Sequence, residues 1–321
     1  MDVLSDVLLA VRLSGAVFFD IEARSPFVTE SPPPEVIADR IKSDSEHLIA
    51  FHVIIEGSCW AFPADPGSSA MSVGRGEIVI YPAGDANVLS SAPGMRAQPD
   101  PSRYYRPSDR VLPFPLVLNP DGDAERCRLV CGFFGCDTRP FNPLLGSLPQ
   151  VVKVAVSERS WRWMAQLLDA AVAAEAGAGQ EAMLTKLSEL MFLEALRAHI
   201  ASLPPESRSW VSGLRDPQVG AALRLVHGRY AEPWTLERLA RETSMSRSSF
   251  AERFTEFVGI PPMTYLARWR IQVAANLLRT TSLSLAQVAT QVGYQSESAL
   301  SRAFKRQVGQ TPGAWRLGRE A

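Results

Sequence analysis

This sequence has little histidine, little cysteine, almost no net charge and no long apolar run, and each shortage removes a class of protein. Its 321 residues carry a formal charge of −1 and only four cysteines, Cys59, Cys127, Cys131 and Cys136. Four thiols in that length do not make a disulfide framework. The four histidines, His47, His52, His199 and His227, are scattered, whereas a metal centre needs several converging ligands and a supporting shell. A metal site would have to be improvised from His47, His52 and Glu56, so no metal and no cofactor is expected. No nucleophile motif of the G-x-S-x-G kind occurs, and no enzyme is expected. No run approaches the length of a membrane span. The N-terminal stretch MDVLSDVLLAVRLSGAVFF carries Asp2, Asp6 and Arg12 and has neither a basic lead nor a small-residue cleavage site. A cytoplasmic, bacterial-type protein without a targeting segment is the expectation.

What is present is ordinary globular composition, 46% hydrophobic and 21% charged, in a length that suits two domains. The near-zero net charge hides an asymmetry. From Gln218 to Ala321 there are 14 Lys plus Arg against 7 Asp plus Glu, leaving 19 against 27 for the rest. The basic part also contains a repeat. Leu239, Ala240, Met245, Ser246, Phe250, Phe254, Gly259 and Pro262 are echoed by Val288, Ala289, Tyr294, Ser296, Leu300, Phe304, Gly309 and Pro312. From Ser246 onward the offset is 50 residues and before it 49, so the second copy has one extra residue in its turn. Two copies are too few for a solenoid and mean two similar small units.

Each copy reads as a short helix, a tight turn and a second helix. Ser284 with Gln287 fits a capping box, Glu237 follows Thr235 in a first turn, and Ser246 and Ser296 suit N-cap positions of the second helices. Phe250 and Phe254, like Leu300, Phe304 and Val308, recur at helical spacing and form a buried stripe. Arg247, Ser248, Ala251, Glu252 and Thr255 then face outward in the first copy, and Glu297, Ser298, Ser301, Arg302 and Lys305 in the second. Small and hydrogen-bonding side chains on the N-terminal half of a helix suit the major groove of DNA. A solvated face is the plainer alternative for any one such helix.

The segment Leu285 to Arg316, LAQVATQVGYQSESALSRAFKRQVGQTPGAWR, resembles the signature of AraC-family transcription regulators, F-K-x-x-x-G-x-x-P-x-x-x-R, at Phe304, Lys305, Gly309, Pro312 and Arg316. The resemblance covers about the last hundred residues. It implies two helix-turn-helix subdomains joined by a helix near Pro262 to Arg279, set for successive major grooves about 34 Å apart. It implies promoter double-stranded DNA and RNA polymerase as partners, and a small-molecule effector. By position in the family pattern, Arg302 is the candidate base contact, because arginine pairs bidentately with guanine. Ser248, Ala251, Glu252, Glu297, Ser298 and Ser301 are its expected neighbours at the interface, and Arg247, Lys305 and Arg306 the expected phosphate contacts. Small Ala251 and acidic Glu252 depart from many relatives, since Glu252 repels phosphate unless it accepts from cytosine.

The N-terminal part reads as short strands with glycine turns: Gly15 to Phe27, then a break at Pro32 to Pro34, then HLIAFHVIIEGSCWAF around Glu56 and Gly57, then Met71 to Tyr81 and a turn at Gly84 and Asp85. GRGEIVIYPAGDANVLS resembles the cupin-like sensory domain of some AraC-family regulators, and LVCGFFGCD resembles its last strand. Where the cupin pattern often supplies a metal-binding histidine, this chain has Ala86 or Asn87. Ala92 to Ala124, rich in proline and containing Tyr104 and Tyr105, reads as a long loop. Cys127 and Cys131 share strand parity and Cys136 does not. Buried apolar thiols are the default reading, and a redox role for Cys127, Cys131 and Cys136 the alternative.

From Val154 the chain reads as helical. Trp161, Met164, Leu167 and Leu168 form one stripe, and Leu184, Leu187, Leu190, Met191, Leu193 and Leu196 form another beyond Gly177 and Gly179. The width of the second stripe suggests a homodimer surface. The expected fold is α+β, with a cupin-like β-barrel over 1–150, a helical dimerisation segment over 151–203, a linker over 204–215 and an all-α double helix-turn-helix domain over 216–321. A signal received by the barrel would act by favouring one domain or dimer arrangement. Two rival functions stay open at this point: a cupin-type metalloenzyme with a DNA tether, and a regulator that sequesters another protein without touching DNA.

Overall fold

The computed structural model describes residues 2–41, 45–104, 112–122, 125–173 and 179–318. The chain forms two compact units that are not continuous in sequence. One comprises Leu13–Cys136 and Leu148–Leu203, and the other Met1–Arg12, Asp137–Ser147 and Pro204–Ala321. In chain order the first helix, α1 (Val3–Ala10), belongs to the second of these. The first unit follows with β1 (Ser14–Arg24), β2 (Val28–Glu30), α2 (Pro34–Ile41), β3 (His47–Glu56), β4 (Ser58–Pro63), β5 (Met71–Gly74), β6 (Glu77–Tyr81), β7 (Asn87–Ser90), β8 (Phe114–Leu118), β9 (Arg126–Cys136), β10 (Val152–Ala155), α3 (Glu158–Ala173) and α4 (Gln180–Ser202).

The strands that the glycine-turn pattern predicts are present and form two sheets. A six-stranded sheet runs β10-β6-β3-β9-β1-β8, and a four-stranded sheet runs β2-β7-β4-β5. Register decides which residues face inward. His52 lies opposite both Val79 and Cys131, Ala50 opposite both Tyr81 and Phe133, and Phe19 opposite both Cys131 and Phe114. Directly opposed residues share a face, so these side chains form one layer. Helix α4 lies against β1, and the approach is close enough that a Cβ on Gly15 would sit 2.2 Å from the Ser188 hydroxyl. Only glycine fits there.

Several expectations need correction. The stretch from Ala92 to Ala124 is not all loop: it holds a 3-10 turn at Pro101–Tyr104 and strand β8, which pairs in parallel with β1. Pro113 and Pro115 hid that strand, and proline is tolerated because β8 is an edge. Tyr105 lies outside the described residues. β9 is not the last strand of the sheet, since β10 follows and pairs with β6, and the helices begin only at Glu158. Pro34 does not simply break the chain but opens α2, where its missing N–H costs nothing. In the helical pair, Trp161, Met164, Leu168, Leu184, Leu187, Met191 and Leu196 are buried as expected, whereas Leu167 and Leu190 stay 44% and 48% exposed.

The second unit is helical: α1, then α5 (Trp210–Gly213), α6 (Pro217–Gly228), α7 (Leu236–Glu242), α8 (Arg247–Val258), α9 (Pro262–Thr280), α10 (Leu285–Gln291), α11 (Glu297–Val308) and α12 (Pro312–Leu317). Thr235, Ser246, Ser284 and Ser296 all cap the helices that follow them, and Ser284 with Gln287 completes a capping box. Phe250, Phe254, Leu300 and Phe304 are fully buried, while Val308 is half-buried. Residues 204–215, expected as a linker, are folded into this unit: Trp210 and Val211 are buried, and the Trp210 indole donates to the Tyr265 hydroxyl at 2.9 Å.

Helix α9 passes between the two copies. Ile271, Ala274, Ala275 and Leu278 join Val288, Leu300, Phe304 and Trp315 in one core. On the other side Tyr265 packs edge-on to Phe254, and Trp269 lies 4.0 Å from the His227 ring. The sequence did not announce that α1 and residues 137–147 also dock here. Buried Gln272 donates to the Ala10 carbonyl at 2.9 Å and accepts from the Phe141 amide at 2.8 Å. Asp137 accepts two 2.8 Å bonds from Arg12 and one of 2.6 Å from Arg279.

The two turns solve one backbone problem differently. Ser244 and Gly293 occupy equivalent places and both have positive φ, 57° and 77°. A Cβ on Gly293 would lie 2.4 Å from the Ala231 carbonyl oxygen, so that turn admits glycine only. Ser244→Gly should raise stability by up to about 1 kcal/mol by relieving left-handed strain. Gly293→Ala should lower it by about 2 kcal/mol or more. Urea unfolding of both variants checks the pair, and equal effects would contradict the turn geometry.

Candidate nucleic-acid interface and barrel cavity

The second helix of each copy is held by its cap and its apolar stripe, which leaves one face outward. On α8, Arg247, Ser248 and Glu252 are exposed and Ala251 is half-buried. On α11, Glu297, Ser298, Arg302, Lys305 and Arg306 are exposed and Ser301 is half-buried. Thr255 differs from expectation: it is half-buried, and its hydroxyl donates to the Ala251 carbonyl at 2.7 Å. Ser249 and Gln295 are exposed beside these residues and were not singled out from the sequence, although their places next to the capping serines could have marked them. The signature arginine Arg316 is structural, since its guanidinium donates to the carbonyls of Leu278 and Leu283.

The copies differ in charge. Residues 235–259 contain four arginines and four glutamates, whereas residues 284–318 contain three arginines and one lysine against Glu297 alone. In the first copy Arg247 lies 3.1 Å from Glu237, Arg238 pairs with Glu232, and Arg253 pairs with Asp216, the cap of α6. Among the described residues, no ion pair occupies Arg302, Lys305 or Arg306. The positive face therefore belongs to α11.

The first unit holds a cavity between its sheets. Phe19, Ala50, His52, Leu89, Cys131 and Phe133 line its depth. His52 is the polar centre of this layer. Its Nε2 lies 2.7 Å from the Asn87 side-chain oxygen and its Nδ1 lies 2.9 Å from the Cys131 sulfur. Asn87 can only accept at that oxygen, so Nε2 carries the proton and Nδ1 accepts from the Cys131 thiol. Burial pushes the His52 pKa down to about 4, against the opposing pull of the Asn87 bond.

Asn87 thus stands where the cupin pattern often places a ligand histidine, and it binds His52 instead. His47 points elsewhere, to the Pro82 carbonyl at 2.7 Å, and Glu56 pairs with Arg126. Among the described residues, no three metal-binding side chains converge. All four cysteines are buried and none forms a disulfide. Cys127 shares a hydrogen bond with Cys59 that raises the Cys59 pKa, and burial raises that of Cys131 well above the ordinary thiol value.

Comparison with known proteins agrees with this geometry. Residues 2–201 match the family described as Cupin, and residues 239–318 match the family described as Helix-turn-helix domain. A putative AraC-like transcription regulator of Streptomyces antibioticus is 33% identical over 88% of this chain and 98% of its own length. The chain belongs to the AraC family of transcription regulators. A second AraC-like regulator, from Streptomyces lividans, is 32% identical over 86% of this chain and 89% of its own. Among solved structures, the C-terminal domain of the response regulator yesN from Fusobacterium nucleatum is 28% identical, covering 30% of this chain and 93% of that one with a TM-score of 0.29. For this AraC-family chain, no helix among the described residues is long and apolar enough to cross a membrane.

Two buried histidines make the chain acid-sensitive. His52 and His227 have pKa values pushed down by burial to about 4 and about 3, from an ordinary 6.5. The folded units therefore bind protons less readily than the unfolded chain. Stability is whole above about pH 6.5 and falls as pH drops through the interval below it. His52→Gln should flatten that fall for the barrel unit, by on the order of 3 kcal/mol between pH 7 and 4. Urea unfolding across this range checks it, and an unchanged acid slope in the variant would contradict a neutral buried His52.

Proposed function

We propose that this regulator reads promoter DNA through α8 and α11 together, and that its barrel receives a small-molecule signal. The carrying observation is the pair of equivalently capped helices, each with a polar outer face, on either side of α9. In this reading the strands within 1–150 are the sensor and 216–321 reads DNA, with 151–203 the dimerisation segment and 204–215 the junction, while 1–12 and 137–147 belong with the helical unit. Arg302 contacts a guanine edge, with Ser298, Ser301, Glu297, Ser248, Ala251 and Glu252 beside bases, and Arg247, Lys305 and Arg306 on phosphates. Leu167, Met183 and Leu190 are exposed at 44%, 42% and 48% and suit a homodimer face. RNA polymerase is the further partner, the cytoplasm the compartment, and the role regulatory rather than enzymatic. Burial of Cys127, Cys131 and Cys136 favours an apolar over a redox role.

The charge difference between the copies gives this reading a quantitative form. Counter-ion release should come chiefly from α11. Lys305→Ala should reduce the slope of log affinity against log salt by about 1, uniformly across sequences. Arg302→Ala should cost about 1 to 3 kcal/mol and relax preference at one base pair. Arg247→Ala should change the slope by less than Lys305→Ala, because Glu237 already neutralises it. Fluorescence anisotropy on duplexes selected from a random pool measures all three, and affinity independent of salt would reject DNA binding.

A further inference from the structure

The barrel cavity is neutral in its depth and charged at its mouth, and that order fixes how a ligand lies in it. In the depth, His52 is uncharged with both nitrogens engaged, among Phe19, Ile21, Ala50, Leu89 and Phe133. A charge carried there would be buried without a partner, which proteins avoid. Three charged side chains, Glu30, Asp100 and Arg103, also line the cavity. Both Glu30 oxygens accept from Arg96, at 2.6 and 2.9 Å. One Asp100 oxygen accepts from the Ser102 amide and hydroxyl at 3.0 and 2.6 Å.

Arg103 is the cation among these lining residues, and it is loosely held. Its Nε lies 3.4 Å from the other Asp100 oxygen, the two side chains are 44% and 46% exposed, and no hydrogen bond to a described residue engages its terminal nitrogens. Such an exposed pair is weak. A guanidinium carries five N–H donors in a planar fork, so the edge formed by the two terminal nitrogens can take a second carboxylate while Nε keeps Asp100. An anion seated there stays partly in water, which spares it the desolvation it would meet beside His52.

The wall next to this cation is aromatic. Tyr104 follows Arg103 on the same 3-10 turn, and its ring stands edge-on to Phe19 at 5.4 Å and to Phe133 at 6.0 Å. All three rings line the cavity, and a further flat ring extends such edge-to-face packing. We propose that the cavity binds an aryl carboxylate, its ring against Phe19, Tyr104 and Phe133 and its carboxylate on the outer edge of Arg103. This rests on the reading of the barrel as the signal receiver and names the chemical class of the signal.

Isothermal titration of the full chain at pH 7 with 3-phenylpropanoate, its primary amide and 3-cyclohexylpropanoate tests it. The amide keeps the shape and loses the charge, so it should bind about fivefold more weakly than the carboxylate. The cyclohexyl compound keeps the charge and loses the flat ring, and about threefold weaker binding is expected. Arg103→Gln, at a half-exposed side chain, should melt as the wild type does, weaken 3-phenylpropanoate about fivefold and leave the amide unchanged, so that the two bind alike. The proposal is overturned if 3-phenylpropanoate does not bind, if the amide or the saturated ring binds as tightly, or if Arg103→Gln leaves the carboxylate affinity undiminished. DNA affinity measured with and without saturating 3-phenylpropanoate reports on the signal-receiver reading separately: ligand binding as expected with unaltered DNA affinity sinks that reading and leaves the site assignment standing.

Discussion

Helix α9 is shared by two hydrophobic cores, and that sharing constrains the C-terminal unit. Tyr265 and Trp269 complete the core of the first copy, while Ile271, Ala274, Ala275 and Leu278 complete that of the second. Neither copy can keep its core without this helix. Its 19 residues span about 28 Å at 1.5 Å per residue, comparable with the rise between successive major grooves. Arg279, near its end, both stacks on Trp315 at 4.1 Å and bonds Asp137.

The same helix anchors the two segments that flank the barrel strands. Gln272 holds the end of α1 and the start of residues 137–147, and Asp137 binds Arg12 and Arg279 at once. Strand β1 begins at Ser14 and β9 ends at Cys136, and the two pair from Ser14 and Gly135 onward. Phe19 and Ile21 of β1, with Cys131 and Phe133 of β9, line the cavity. The strands that line the cavity therefore run in sequence, without an intervening linker, into the clamp on α9.

The parts legible in the sequence were those written locally. Capping serines, the Phe250 and Phe254 stripe, the repeat and the glycine turns are signals within a few residues, and the elements they mark formed where expected. What stayed hidden depends on distance along the chain. Asp137 meets Arg12 and Arg279 from 125 and 142 residues away, and no period or motif records such a pairing. β8 was masked by its prolines because edge position is a property of the sheet, and periodicity put Leu190 in one stripe with Leu187 and Leu196 without saying which of them is covered within the chain. The outward faces of α8 and α11 could be read, but not the neutralisation of Arg247 by Glu237. Likewise Asn87 was visible as a departure from the metal-binding pattern, while its bond to His52 required the fold.

Two rigidly joined helices that read one face of a duplex together fix the spacing of the segments they contact. Selecting bound duplexes from a random pool, then inserting five base pairs between the two protected segments of the preferred site, measures that constraint. Two protected segments about 10 base pairs apart are expected, with affinity falling at least about tenfold on insertion. A single protected segment, or affinity indifferent to the insertion, would contradict it.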